Sequence, residues 1–499
     1  MKVKPGSKEP GFFMGELFNG KDLFAIVRRM VAKRTGTEKK SELFKSDFQR
    51  TFFGIFWALA VMMNSFRQGA HLDRGLIGII SILLYASAAI LLMKPSSTFR
   101  LLTVASIGSI EFFFRLPQMP NHFLMIGIIN IALLLAATIK KLKGRFTEEW
   151  FHDSAPYFRL LFVTIYGSAA FAKLNSGFFT LQTSCAYVLA NREFAWLGFN
   201  IDFNDYSFFP VLISATEILI FLGLLFRRTQ PYSVILACLF HTSLSLTPVS
   251  QGLGFTFALY GFIILFISNE AKIESINKAR IRQVKLDQKV PMDVFKMLYA
   301  ILVIAIALAF LVTSINHFMY LAIRWLLTLL ILVILTVGLI YLTFKFRRNK
   351  IDKPVFAVKG LTQFTILILV ILTCLSPYLG VKTRPTFTMY SNLTVENNST
   401  NHFIMPRFFH DSLADDVVTI VDSSNADLRQ DAKEGVKWIY LELQRAMKDS
   451  PNTSITFVRD GKTHTLEKAS DDQNLINPNP ILAKLLSFRK VYPYDYCSW

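Results

Sequence analysis

Residues 318–344 read FMYLAIRWLLTLLILVILTVGLIYLTF, with Arg324 as the only charge among 27 positions. A helix needs roughly 20 apolar residues to cross the hydrocarbon core of a bilayer. A helix packed on a soluble core keeps one polar face, whereas this stretch is apolar all round. It reads as a membrane span, and ten further segments of the same character accompany it. They lie near 51–66, 76–93, 99–116, 122–139, 157–173, 208–226, 231–247, 254–269, 293–313 and 360–380. The fold class expected is an all-α polytopic membrane protein of about eleven helical segments, followed by a small extracytoplasmic α+β domain.

The charges between these segments set the orientation. Alternate loops carry Lys94 and Arg100, then Lys140, Lys141, Lys143 and Arg145, then Arg227 and Arg228, then Lys272 to Lys289, then Lys345 to Lys353. Cations accumulate on the cytoplasmic side, and all these loops fall on the side of the basic N-terminus. An odd number of spans then leaves Trp499 outside. The net charge of +19 would suggest nucleic-acid binding, but its distribution argues against it. Residues 381–499 hold 14 Lys and Arg against 15 Asp and Glu, so the other 380 carry +20 between apolar spans. Anionic lipid headgroups are the expected partner, and nucleic acid is not. A hydrophobic content of 52%, with 47 Phe, points the same way.

The chain divides accordingly. Residues 1–50 form a basic cytoplasmic region with no cleavable signal peptide expected; Gly11 to Arg34 reads as an amphipathic helix lying on the inner leaflet. Residues 51–269 are a transmembrane domain, 270–292 a basic cytoplasmic linker, 293–380 additional spans, and 381–499 the external domain. Within that domain Val417 to Val421 predicts a strand. Leu428 to Met447 predicts a helix with Val436, Tyr440, Leu443 and Met447 on one stripe. Ile455 to Leu466 predicts a hairpin turning at Asp460-Gly461. A short interfacial helix is expected over Thr180 to Ala190. The four cysteines show no CxxC spacing, so no metal site is expected. Cys238 and Cys374 lie inside spans, and Cys497 can bridge to Cys185 if both face outward.

Ionisable groups inside hydrocarbon are costly and mark candidate sites. Glu111 and Arg115 stand i, i+4 and read as a structural pair on one helix. Arg159 sits near a span start and reads as interfacial. Lys173 ends the small-residue run Tyr166-Gly-Ser-Ala-Ala-Phe-Ala-Lys173-Leu-Asn175, and Tyr166, seven residues earlier, shares its face. Glu217 and His241 lie deep in later spans. Desolvation can turn a buried lysine into a base near neutral pH, whereas a buried glutamate would keep it charged. His241 reads more readily as a hydrogen-bonded core histidine than as a ligand.

These residues carry a family resemblance. Asn121-His122 opens a span, Tyr166 to Asn175 follows, and then Glu217, Arg227-Arg228, Phe240-His241 and Gly254-Phe255 come in order. Over residues 45–270 this succession resembles the HTTM (horizontally transferred transmembrane) domain, the membrane portion of vitamin K-dependent γ-carboxylases and their bacterial relatives. Phe387 to Leu393 followed by Asn401-His402 is similar to a segment after the last span of bacterial members. The chain departs from the family pattern at Ala172, Asn175 and Phe178-Phe179, and its tail is shorter.

The resemblance implies a possible γ-carboxylase-like lyase or oxidoreductase using a reduced, vitamin K-like quinone. Lys173 would be the base, with His122, Asn121 and Tyr166 near the quinol and Glu217 and His241 as internal polar supports. It also implies a bacterial plasma membrane location and a secreted peptide or protein substrate. The alternative is a non-catalytic membrane factor for maturation or export of a secreted peptide. A transporter is less favoured, since no internal repeat or pair of broken helices is visible.

Overall fold

The computed structural model describes residues 48–64, 75–147, 149–180, 183–199, 206–246, 252–267, 317–346, 354–494 and 497. Its first part is a bundle of helices. They are α1 (48–64), α2 (Gly75–Met93), α3 (Thr98–Arg115), α4 (Asn121–Leu142), α5 (Trp150–Ala172), the single turn α6 (Ser176–Phe179), α7 (Cys185–Trp196), α8 (Phe209–Leu225), α9 (Gln230–Ser243), α10 (Leu253–Phe266), α11 (His317–Phe346) and α12 (Leu361–Leu375). Helices thus cover ten of the eleven predicted segments. The segment at 293–313, the linker 270–292 and the amphipathic helix at Gly11 to Arg34 lie outside the described residues. Among the described residues, three helices are long and apolar enough to cross a membrane: Gly75–Met93, Asn121–Leu142 and, within α11, Thr328–Lys345. Phe209–Leu225, Leu253–Phe266 and Leu361–Leu375 are apolar but shorter.

Local signals explain the breaks between helices. Ser97 caps α3 by accepting from Arg100 N, and Ser184 caps α7 by accepting from Ala186 N. Pro210 and Pro231 stand in the first turns of α8 and α9, where a missing N–H costs nothing. The predicted interfacial helix at Thr180 to Ala190 begins later, at Cys185, because Ser184 is the residue that can cap it.

α5 and α10 run through the middle of the bundle and are buried on most sides. Their rings interlock: Phe162 stacks on Phe262 at 4.8 Å, and Trp57 of α1 meets Phe262 edge-on at 5.9 Å. Several polar groups in this interior are hydrogen-bonded to one another. Trp57 Nε1 donates to Asn130 Oδ1 at 2.9 Å. Thr242, Tyr260 and Thr336 join their hydroxyls at 2.6–2.9 Å, tying α9, α10 and α11. Arg115 and Glu111 pair at 2.8 Å, and Ser81 of α2 donates to the same Glu111 oxygen at 2.6 Å. That pair therefore links α2 to α3, the structural reading its i, i+4 spacing invited. Arg159, expected at an interface, is buried with its Nε on Ala155 O and its guanidinium near the Phe266 ring.

Beyond α12 the chain runs as an extended strap over residues 381–411 and then enters a sheet domain. Strands β1 (Val417–Ser423), β2 (Lys437–Ile439), β3 (Ile455–Arg459) and β4 (Lys462–Leu466) form an antiparallel sheet in the order β2-β1-β3-β4. Asp460 and Gly461 both have positive φ, the geometry of the expected two-residue hairpin. The helix expected over Leu428 to Met447 is instead two helices, α13 (Ala426–Lys433) and α14 (Tyr440–Asp449). Gly435, at φ +69°, ends the first of them, and β2 pairs with β1 before the second begins. The stripe of Val436, Tyr440, Leu443 and Met447 is buried all the same, and the last three share one core with residues of β1 and β3.

Helices α3 and α4 approach each other closely at Gly127. A Cβ on Gly127 would stand 2.2 Å from the Phe112 ring. Gly127→Ala is expected to lower the stability of the purified protein by about 1–3 kcal/mol, read as a fall in thermal midpoint. An unchanged midpoint would mean that α3 and α4 do not pack this closely.

Candidate functional site

Lys173 follows the last residue of α5, and its side chain turns back into the bundle, where the residue is only 5% exposed. A buried ammonium needs partners, and it finds three. Nζ lies 2.7 Å from Glu217 Oε2 on α8, donates to the Met389 carbonyl of the strap at 3.1 Å and to Ala169 O at 3.5 Å. The Glu217 contact is an ion pair whose angles lie off the hydrogen-bonding directions, as Oε2 forms no hydrogen bond. One helical turn or two deeper, Tyr166 OH meets His241 Nε2 of α9 at 3.1 Å.

These four side chains edge a cavity of about 560 Å³. His122 joins them from the start of α4, and Thr256 from α10. The rest of the wall is mainly apolar, contributed by α5, α7, α8 and α9, with Met389 and Tyr390 arriving from the strap. Leu212 and Leu239, in the same wall, are more than half exposed on the outside of the bundle. The cavity is therefore polar at one end and reaches the apolar flank of the bundle along α8 and α9. Among the described residues no group of His, Cys, Asp and Glu is placed to hold a metal ion.

Five of the six residues singled out from sequence line this cavity: His122, Tyr166, Lys173, Glu217 and His241. Asn121 does not. Its Oδ1 accepts the Thr386 N–H at 2.8 Å and so holds the strap to the start of α4. Met389, Tyr390, Phe178 and the α7 residues Arg192 and Glu193 are wall residues that no spacing in the sequence pointed to. The signal that was present lay in Phe387 to Leu393, which stood out as a segment without any indication that it would close over Lys173.

Asn175 fastens the strap in place. It is fully buried; its Nδ2 donates to Ala172 O at 2.7 Å and to Ser391 O at 2.5 Å, while Oδ1 accepts from Phe178 N at 2.9 Å. Asn392 repeats the arrangement one residue on, accepting from Cys185 N and donating to Thr183 O. This leaves Asn392 2% exposed and unavailable as a glycan acceptor in the folded chain. Cys185, itself in the cavity wall, is disulfide-bonded to Cys497, 312 residues later, with Cα atoms 4.8 Å apart. His402 completes the fastening. Its Nε2 bonds the Phe171 carbonyl at 3.0 Å, and its Nδ1 accepts from the backbone N–H groups of Ile404 and Met405. A carbonyl can only accept, so Nε2 carries the proton and the ring is neutral.

Two expectations follow. Asn175→Ala removes a donor and an acceptor from buried backbone groups and should cost about 1–3 kcal/mol. It should also raise protease cleavage within 381–411, and unchanged cleavage would show the strap to be held by other contacts. Burial holds the His402 imidazole below its ordinary value, against the Phe171 hydrogen bond, which pulls it up. The unfolded imidazole takes its proton near pH 6.5, before the folded one does. The stabilisation is thus complete above that pH and is lost as the pH falls towards the folded value. The thermal midpoint of the wild type should fall on acidification below about pH 6.5, and His402→Phe should flatten that fall.

No protein-family model, curated protein or solved structure matches the chain.

Proposed function

We propose that the chain is a polytopic integral membrane protein of the HTTM type, whose cavity binds the head group of a reduced quinone or a similar aromatic lipid for proton-transfer chemistry. The observation that carries this reading is the 560 Å³ cavity, apolar over most of its wall, with Lys173, Glu217, Tyr166 and His241 gathered at one end. Binding sites for apolar ligands have this composition, with a few placed polar groups that orient the ligand.

The membrane part of the reading rests on polarity reversed with respect to a soluble helix. α8 buries Ser214 and Glu217 and turns Val211, Leu212, Leu219 and Leu222 outward. α12 turns Leu361, Phe364, Leu369 and Leu372 outward. Contiguous apolar surface of this kind is costly in water and unremarked in lipid. The eleven-span topology, with a cytoplasmic N-terminus and an external tail in a bacterial plasma membrane, agrees with the loop charges. It also agrees with a disulfide in the tail, since such bonds persist in oxidising compartments.

A reduced quinone would supply reducing equivalents and, with oxygen, a strong base. The residues present fit such a group: the volume suits a fused ring, and the polar end offers both donors and acceptors. Tyr166 and His241 would orient a ring oxygen. Lys173, the base implied by the family resemblance, stands with Glu217 as the proton-accepting pair. Phe178, with its ring 6.0 Å from Nζ, helps to keep water from it.

A second reading is a non-catalytic factor that holds a secreted peptide during maturation or export. A cleft of about 420 Å³ favours it, lying between the Pro117–Pro120 loop and the sheet domain and lined by Arg384, Trp438, Arg445 and Lys490 among others.

Purified protein supplied with reduced naphthoquinones and oxygen should form epoxide or quinone above a protein-free control, followed by mass spectrometry. Lys173→Ala, which breaks the Lys173–Glu217 pair, should reduce that turnover by at least about 100-fold, the scale on which proton-transfer groups act. Wild type without turnover would shift the weight to the peptide-binding reading.

A further inference from the structure

Lys173 Nζ has an oxygen on each of three sides: Glu217 Oε2 at 2.7 Å, Met389 O at 3.1 Å and Ala169 O at 3.5 Å. Two carbonyls accept its hydrogen bonds and a carboxylate stands 2.7 Å away as counter-ion, a surrounding made for the ammonium form. An ammonium has no lone pair with which to take a proton. Met389 O is held where it is by the Asn175 bond to Ser391 O, so the arrangement is built into the strap. Glu217 is the complement. Its Oε2 faces Lys173, while Oε1 forms no hydrogen bond with any described residue, and the side chain borders the cavity. The carboxylate thus brings free lone pairs to this end of the cavity.

Resting on the quinone-site reading, we infer that Glu217 is the proton acceptor for a hydroxyl-bearing aromatic ligand and that Lys173 is the fixed cation that stabilises the charge left behind. In the step, the ligand O–H bond breaks and a new O–H bond forms on Glu217 Oε1. The electron pair stays on the ligand oxygen. The Lys173 ammonium keeps its own proton and, its Glu217 partner now neutral, turns its charge to the new oxyanion. The charge of the site is conserved: a carboxylate becomes a carboxylic acid as a neutral hydroxyl becomes an anion beside the same cation. No oxidant or other reactant enters the step. Fixed charges aimed at developing charge act strongly in a dry site.

The two assignments differ in what arginine can do at position 173. Arginine keeps the cation and does not give up its proton. If lysine is the base, Lys173→Arg abolishes proton transfer; if Glu217 is the base, it does not. The experiment uses the full chain in detergent with 4-nitro-1-naphthol, whose strong visible absorption belongs to the anion, at a pH about one unit below the free probe's own pKa, where the unbound probe is mostly un-ionised. Binding is followed by quenching of protein fluorescence, and proton transfer by probe colour together with an infrared band for a protonated carboxylic acid. Wild type and Lys173→Arg should bind the probe, colour it and show the band. Glu217→Gln should bind the probe with at least about tenfold less colour and no band, tenfold corresponding to one pH unit of proton affinity. Full colour in Glu217→Gln, or its loss in Lys173→Arg with the probe still bound, overturns the assignment and leaves the site standing. A wild type that does not bind the probe overturns the quinone-site reading and this assignment with it.

Discussion

A lysine ammonium buried among hydrocarbon side chains must be neutralised and hydrogen-bonded or it will not stay folded there. Meeting that demand at Lys173 draws together three parts of the chain far apart in sequence: the end of α5, the middle of α8 through Glu217, and the strap through the Met389 carbonyl. Much of the surrounding architecture keeps those parts in register. Asn175 binds the strap to the residues next to Lys173, Asn121 binds it to α4, and Asn392 binds it to α7. The Cys185–Cys497 bond closes the same region from the far end of the chain.

The consequence for chemistry is that the polar end of the cavity is rigid. Tyr166, Glu217 and His241 stand on α5, α8 and α9, Lys173 on the residue that ends α5, and the strap that brings Met389 is pinned on both sides of it. Sites on rigid elements hold geometry better than sites on loops. The apolar wall, by contrast, runs out to exposed leucines on α8 and α9. A ligand with a polar head and an apolar remainder suits that gradient, with the head recognised by fixed groups and the remainder by surface alone.

The polar connections elsewhere in the bundle do different work. Trp57–Asn130, Ser81–Glu111–Arg115 and Thr242–Tyr260–Thr336 join neighbouring helices and do not edge the large cavity, apart from its border near Thr242. They show that a buried charge or hydroxyl in this chain is not by itself a sign of function. What separates Lys173 and Glu217 from Glu111 and Arg115 is the empty volume beside them, about 560 Å³ against about 20 Å³ next to Glu111.

Helix positions, the hairpin at Asp460-Gly461 and five of the polar residues that line the cavity were legible in the amino-acid sequence, because each depends on local physics. Apolar runs make helices, two residues that accept positive φ make a tight turn, and a charge in an apolar run stands out wherever it finally packs. The sequence could not distinguish one helix from two over Leu428 to Met447, because that choice turned on β2 finding β1 across the chain. Nor could it say that Lys173 meets Glu217, that Asn121 serves the strap rather than the cavity, or that Cys185 pairs with Cys497. Those outcomes belong to the tertiary structure, since they depend on which surfaces face each other once the helices pack. Spacing along the chain determines which residues share a helix face, but not what stands opposite that face.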